Sequence, residues 1–540
     1  MASTASSQHY RALVDIGSNG IRFSISDLSP PTARIMPTVY QNRCGISLYD
    51  AQNAAGTKAP IPSSVIEEVV AVLLRFKNTC QDFEVQDNNI RLVATEATRN
   101  AINREDLLGQ IDERTGWKVD LLTKEEEGRL GAMGIASSIG HIDGICMDMG
   151  GGSVQMTWVV KKPNGDVDMS PVGSVSFPYG AAALMSTLSE VNVQKKEAFL
   201  LDEIASKFQR GLEDIKIPPG LRDEALRKGG YTLYLSGGGF RGRGYILMSK
   251  EGIQPYPIPI INCYSVDAPR FFSNLEESPE GASAFRVSSR RASQVPAVLL
   301  VIKSLARAEI PISKVVFTQG GVREGLLYSG LPLSIRAQNP LIASTLPHAP
   351  KSAASLTSLL RDAVPDMIET EVLTSTINLL YVHGSMPKDI RAAAALRSTT
   401  TGVLAGAHGL SHQDRGMIAL ILCERWGADF SEADIPLYNS LQILTGRLTW
   451  WTKYVGRVAE GIANLFPAGV VRDDEQTIVV ESGLSSSNKS IQQCWLKVSV
   501  LRQDLVGSVM EWAEDLRKLG KKKHWDKQGS GMKVEVEVRT

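Results

Sequence analysis

Long hydrophobic runs are missing from this chain: apolar stretches such as AVLL at 71–74 and IALIL at 418–422 fall far short of the roughly 20 residues needed to cross a bilayer. An excess of one charge is missing too. Lys and Arg together number 58 and so do Asp and Glu, and the basic residues are scattered. The concentrated positive field that attracts nucleic acid is therefore not expected. The short run Lys521-Lys522-Lys523-His524 reads as a solvated segment rather than a nuclear-targeting signal. Six cysteines (Cys44, Cys80, Cys146, Cys263, Cys423 and Cys494) stand far apart with no CxxC pair, a pattern of reduced thiols rather than zinc ligands or a disulfide framework. The opening MASTASSQHYRALVDIG lacks a basic region followed by an apolar stretch and a cleavage site. The expectation is a cytoplasmic protein with no membrane partner.

What is present is ordinary globular composition, 43% hydrophobic and 21% charged over 540 residues, enough for two or three cores. Residues 11–27, RALVDIGSNGIRFSISD, read as an apolar strand, a Gly/Ser/Asn turn and a second strand. In that second strand Ile21, Phe23 and Ile25 alternate with Arg22, Ser24 and Ser26, which predicts a hairpin with one buried face. Ser64-Val65-Ile66-Glu67 reads as a capping box opening an amphipathic helix. A strand at 90–95, a helix near 104–114, a strand at 117–122 and a helix from Lys124 to Ser138 follow, the alternation of a mixed or parallel sheet covered by helices. At 144–160, GICMDMGGGSVQMTWVV, the opening pattern returns. Asp15-x-Gly17 is answered by Asp148-x-Gly150, and seven residues beyond each Asp stand Arg22 and Gln155. Residues 231–244 and 315–328 each read as a strand, a glycine turn and a helix.

An Asp at a strand end followed by a Gly/Ser turn lets backbone N–H groups approach a phosphate chain, and the carboxylate can hold Mg²⁺ through water. One such turn is weak. Two in register predict a cleft between duplicated lobes: Asp15, Gly17, Ser18 and Asn19 on one side, Asp148, Gly150, Gly151, Gly152 and Ser153 on the other. The cluster Ser236-Gly237-Gly238-Gly239 closes it. The expected fold class is α/β, a duplicated two-lobed core of the actin/Hsp70/sugar-kinase (ribonuclease H-like) kind, with residues 1–139 as the first lobe, completed by 318–332, and 140–317 as the second. From 333 to 540 helical segments dominate, among them 389–406 and 415–427, with strands at 476–482, 494–502 and the KVEVEV end. Trp450-Trp451 reads as a core pair or a domain contact.

The motifs DIGSNGIR (15–22), ATEATRNA (94–101), KEEEGRL (124–130), DMGGGSVQ (148–155) and GGVREGLL (320–327) resemble those of the exopolyphosphatase/guanosine pentaphosphate phosphatase family over residues 10–330. The segments ALRSTTTGVLAGAHGLSHQDRGMIALILCERWG and LTWWTKYVGRVAEGIANLFPAG (448–469) resemble its fungal retrograde-regulation branch. The resemblance implies that Arg22 and Arg99 touch phosphate oxygens and that Asp15 and Asp148 hold Mg²⁺. It also implies that Glu126 lies near the scissile phosphate, with Glu125 and Glu127 left as carboxylates favoured in a first helical turn. The family motif ends in glutamate where this chain has Gln155, and an amide has no basic form near neutral pH. A binding cradle with altered acid/base machinery implies a regulatory sensor that takes nucleotide or polyphosphate and acts through protein partners of the retrograde pathway. An active Mg²⁺-dependent phosphatase is the alternative, and a sugar-kinase-like transferase a weaker third. Dimerisation is left open. Some bacterial members carry a His-Asp metal domain, but no His-Asp dipeptide occurs here. His383, His408 and His412 sit among alanines, glycines and turns, and His412-Gln413-Asp414 reads as the cap of a helix beginning near Arg415.

Overall fold

A computed structural model describes residues 7–53, 57–188, 193–275, 294–472, 477–486, 492–525 and 531–540. The chain divides into two units, one of residues 1–250 and 261–338, the other of residues 251–260 and 339–540.

Two sheets built on one plan carry the first unit. In the first sheet β1 (Tyr10–Gly17), β2 (Gly20–Asp27), β3 (Thr38–Cys44), β4 (Ile90–Ala94) and β5 (Val119–Leu121) lie in the order β3-β2-β1-β4-β5. In the second, β6 (Asp143–Met149), β7 (Val154–Lys161), β8 (Val167–Met169), β9 (Val175–Phe177), β10 (Tyr231–Gly237), β11 (Ser265–Asp267) and β12 (Ile312–Phe317) give β11-β12-β10-β6-β7-β8, with β9 also on β7. Outward from β1 run an antiparallel hairpin partner on one side and two parallel strands on the other. Outward from β6 the same holds, with β7 as hairpin partner and β10 and β12 parallel. This is the expected duplication, and its register matches: Asp15 pairs with Arg22 and Asp148 with Gln155.

Alternation along β1 sorts its side chains between two layers. Val14 and Ile16 enter a core with Phe23, Ile25 and the helix Ser63–Asp82, where Phe23 stacks on Phe76 at 4.4 Å between ring centroids. Leu13 enters the opposite core with Ala132, Ile135 and Tyr328, so Asp15 shares that face at the strand's end. Covering both faces departs from the one-faced hairpin the sequence suggests. Ser24 and Ser26 are buried along with the apolar positions. The helix Ser63–Asp82 follows Pro62 without a side-chain cap. The helices Lys124–Ser137 and Val322–Gly330 cross where glycines remove every side chain: a Cβ on Gly134 would overlap Gly321, and one on Gly325 would overlap the carbonyl of Leu130. Fully buried Arg34 donates to the carbonyls of Ser137 (3.0 Å) and Ile139 (3.1 Å) at the end of the first of these helices, where a cation suits the dipole.

The second unit is mainly helical and ends in a three-stranded sheet of β13 (Ile478–Ser486), β14 (Gln492–Val500) and β15 (Lys533–Arg539), in that order. Its central helix spans His412–Arg425 and opens on a capping box of Ser411 and Asp414. It therefore starts three residues before the expected Arg415, with Ser411 as the cap. His412 faces the Tyr256 hydroxyl through Nδ1 at 2.6 Å. The 389–406 stretch is helical only over Lys388–Leu396 and continues in turns. Trp450 and Trp451 are buried against each other and Tyr454. Residues 251–260 belong here because Ile258 is fully buried among Ala392, Leu396, Ala419, Leu420 and Cys423. Among the described residues no helix is long and apolar enough to cross a membrane.

Candidate functional site

Two carboxylates at the ends of matching strands define the site. Asp15 is 6% exposed and stands 3.7 Å from the Arg22 guanidinium across the hairpin. Burial pushes its carboxyl up, opposed by Arg22 and Arg323. Burial also pushes Asp148 up, opposed by Arg22, Arg241 and a hydrogen bond from Ser236, with the negative charge of Asp15 adding to the rise. The two carboxylates thus share Arg22 and feel each other.

The hairpin turns meet as well. A Cβ on Gly151 would overlap the Asn19 amide, and one on Gly152 would lie 2.8 Å from the Glu96 carboxylate. Glycine is what lets the two loops approach. The carbonyls of Gly150, Gly151 and Gly152 accept from the N–H groups of Ala181 (3.0 Å), Ala182 (2.9 Å) and Gly180 (3.1 Å), at the start of the helix Ala181–Leu188. With its carbonyls committed there, the loop keeps the N–H groups of Gly151, Gly152 and Ser153 without an acceptor among the described residues. Successive free N–H groups form an anion-binding concavity. Gly237, at φ +95°, lets β10 pass against Asp148, since a Cβ there would lie 2.8 Å from Oδ1 of Asp148. Gly238 opens the helix Gly238–Ser249, while Gly239 is a packing position, because its Cβ would strike Val298 and Met149.

The acidic segment departs from the expectation that Glu126 lies at the site. Glu126 is exposed and caps its own helix: its Oε2 accepts from the backbone N–H of Thr123 at 2.9 Å, while its N–H donates to the Thr123 hydroxyl at 3.1 Å. The carboxylate turned toward the site is Glu127, 3.2 Å from Arg99. Burial pushes Glu127 up to about 7, Arg99 opposes this, and the charges of Glu96 and Asp15 add to it. The sequence held the signal: Thr123-x-x-Glu126 is itself a capping box, which assigns Glu126 to the helix end and leaves Glu127 one position round. Arg99 also donates to the Leu122 carbonyl at 2.5 Å. Gln155, half-buried, lies beside Gly128, whose Cβ would be 3.4 Å from Oε1 of Gln155. It thus adjoins the residue after Glu127. Glu96, Arg241 and Arg323 were not singled out from sequence. Arg323 was detectable as the cation just after the Gly320-Gly321 turn that opens a helix, a place suited to anions.

The donor set suits a hard cation. No cluster of three or more His, Cys, Asp or Glu ligands occurs among the described residues, but Mg²⁺ commonly takes one or two carboxylates and completes its shell with water and phosphate oxygens. Two carboxylates sharing one guanidinium, the buried Asp15 and the half-buried Asp148, fit that pattern.

Residues 28–334 match the Ppx/GppA phosphatase family, and residues 339–540 match the RTG2 C-terminal domain. The chain belongs to the Ppx/GppA phosphatase family. It is 39% identical over 494 residues to Retrograde regulation protein 2 of Saccharomyces cerevisiae, a match covering 87% of this chain and 83% of that protein. Exopolyphosphatase 1 of Mycobacterium leprae is 25% identical over 177 residues, 32% of this chain and 47% of that one. Among solved structures, the Ppx/GppA family member of Aquifex aeolicus is 24% identical, with 59% of this chain and 96% of that chain covered at a TM-score of 0.45.

Proposed function

We propose that this protein is a regulatory sensor in retrograde signalling, which binds nucleotide or polyphosphate with Mg²⁺ between its two glycine hairpins and hydrolyses it poorly. The observation that carries the reading is the cross-strand pair Asp148–Gln155. The cradle is built twice over, yet the position opposite the second aspartate holds an amide. Gln155 can orient a water but cannot take its proton, and general-base assistance is typically worth about 10²–10⁴-fold in rate. The Retrograde regulation protein 2 relative, similar across both units, supports placing the sensor in signalling from mitochondria to nucleus, in the cytoplasm, with pathway proteins as partners. Isothermal titration of ATP, GTP and polyphosphate with Mg²⁺ against the full chain tests it. Binding with little phosphate release is expected. Turnover like that of an ordinary phosphatase would overturn the sensor role, and undiminished affinity in Asp148→Ala would show the site to be elsewhere.

One observation favours the alternative of an active phosphatase. Glu127 has its carboxyl raised to about 7, suited to a general base at neutral pH. If hydrolysis is found, Glu127→Gln abolishes it and Glu126→Gln does not.

A further inference from the structure

A second group of cations lies in the carboxy-terminal unit, and nothing in the hairpin site uses it. Arg425, the last residue of the helix His412–Arg425, is 7% exposed, yet its guanidinium makes no hydrogen bond or ion pair among the described residues. Its partner is the indole of Trp426, with the ring centroid 3.6 Å away. The same indole carries Arg391 at 4.5 Å, fixed by donating to the carbonyls of Gly384 (3.0 Å) and Met386 (2.9 Å). Three N–H groups here, Nε of Arg391, Nε of Arg425 and Nε1 of Trp426, are buried without an acceptor.

Buried donors are nearly always paired, and a buried cation without an anion is strongly unfavourable. The Nε atoms of Arg34 and Arg415 are orphaned as well, but those guanidiniums donate to carbonyls through Nη, whereas that of Arg425 donates to nothing among the described residues. The carboxylate acting most on Arg425 is that of Glu460, but Arg457 holds it at 3.0 Å. Burial accordingly pushes Arg425 down to about 10. Gly384, which accepts from Arg391, and Gly427, the chain neighbour of Trp426, are both exposed, and Arg391 and Trp426 are half-buried. The Arg425 guanidinium is the uncommitted fork, a donor geometry that matches oxyanions and is pre-oriented by stacking on the ring, while Arg391, with Nη2 held by the two carbonyls, adds its charge.

We propose that Arg391, Arg425 and Trp426 form a receptor for an oxyanion of the phosphate class, separate from the hairpin site. Two cations on one ring suit a dianion better than a single carboxylate. The anion can arrive free or as a phosphomonoester on another molecule.

Calorimetric titration of the full chain carrying Arg22→Met, which takes the shared cation out of the hairpin site, tests this without added Mg²⁺, with inorganic phosphate, O-phosphoserine and acetate as probes. Phosphate or phosphoserine is expected to bind, with affinity falling at least 10-fold in Arg425→Met and in Arg391→Gln. Tighter binding of phosphoserine than of phosphate identifies the attached form as the source. No binding of either phosphate probe, acetate binding equally well, or affinity unchanged by Arg425→Met overturns the proposal. Arg391 is only half-buried, so if Arg425→Met fails to fold, unchanged affinity in Arg391→Gln overturns it equally.

Discussion

Adjacent glutamates at 126 and 127 do different work because one helical residue turns a side chain by about 100°. Removing the cap in Glu126→Ala should cost about 1 kcal/mol of stability, read by urea unfolding, and leave ligand affinity alone. The Glu127 carboxyl rises from its ordinary 4.5 to about 7 in the folded protein, so between those values the folded state binds more protons than the unfolded one. Its contribution is complete below pH 4.5 and is lost as pH rises through 7, on the order of 1–3 kcal/mol for this group. In the ligand-free protein, stability should therefore fall as pH climbs across that window. Glu127→Gln should flatten the slope, and an unaltered slope would show that Glu127 does not titrate there. At the neighbouring position Gln155→Glu should raise phosphate release, by up to the roughly 10²-fold lower range of general-base assistance. No gain would mean that the amide does not limit the chemistry.

Helix crossings and hairpin contacts were only partly legible in the residues. The period-2 patterns and the paired Asp-x-Gly turns place β1, β2, β6 and β7 correctly, because local alternation and turn chemistry are written along the chain. That both faces of β2 are covered was not legible, since small serines serve either surface. Nor was the purpose of each glycine. Gly151 and Gly152 make room for Asn19 and Glu96, whereas Gly134 and Gly325 let two helices touch backbone to backbone. Gly325→Ala should therefore cost roughly 1–3 kcal/mol or more by overpacking, measured by chemical denaturation. An exposed change such as Gly109→Ala, where a Cβ meets nothing within 4 Å, should be neutral or slightly stabilising.

Across the whole molecule, the chain leaves its first unit at residue 250 and returns at 261. The intervening segment follows directly on the helix that starts at the third glycine turn, and it supplies Ile258 to the second unit's core. Ile258→Ala should destabilise that unit by about 2–5 kcal/mol, and a fragment of residues 339–540 alone should be less stable than the same unit in the intact chain. Equal melting of the two would show that the segment is dispensable. The duplication, the aspartates at matching strand ends, the Gln155 substitution and the change to helices after 333 can be read along the chain, because each is a matter of local pattern or residue identity. Which glutamate faces Arg99, which glycines make room for a packing contact, and where Ile258 is buried emerge only in the folded chain. Each of those depends on what residues distant in sequence place next to a side chain, and no spacing along the chain encodes it.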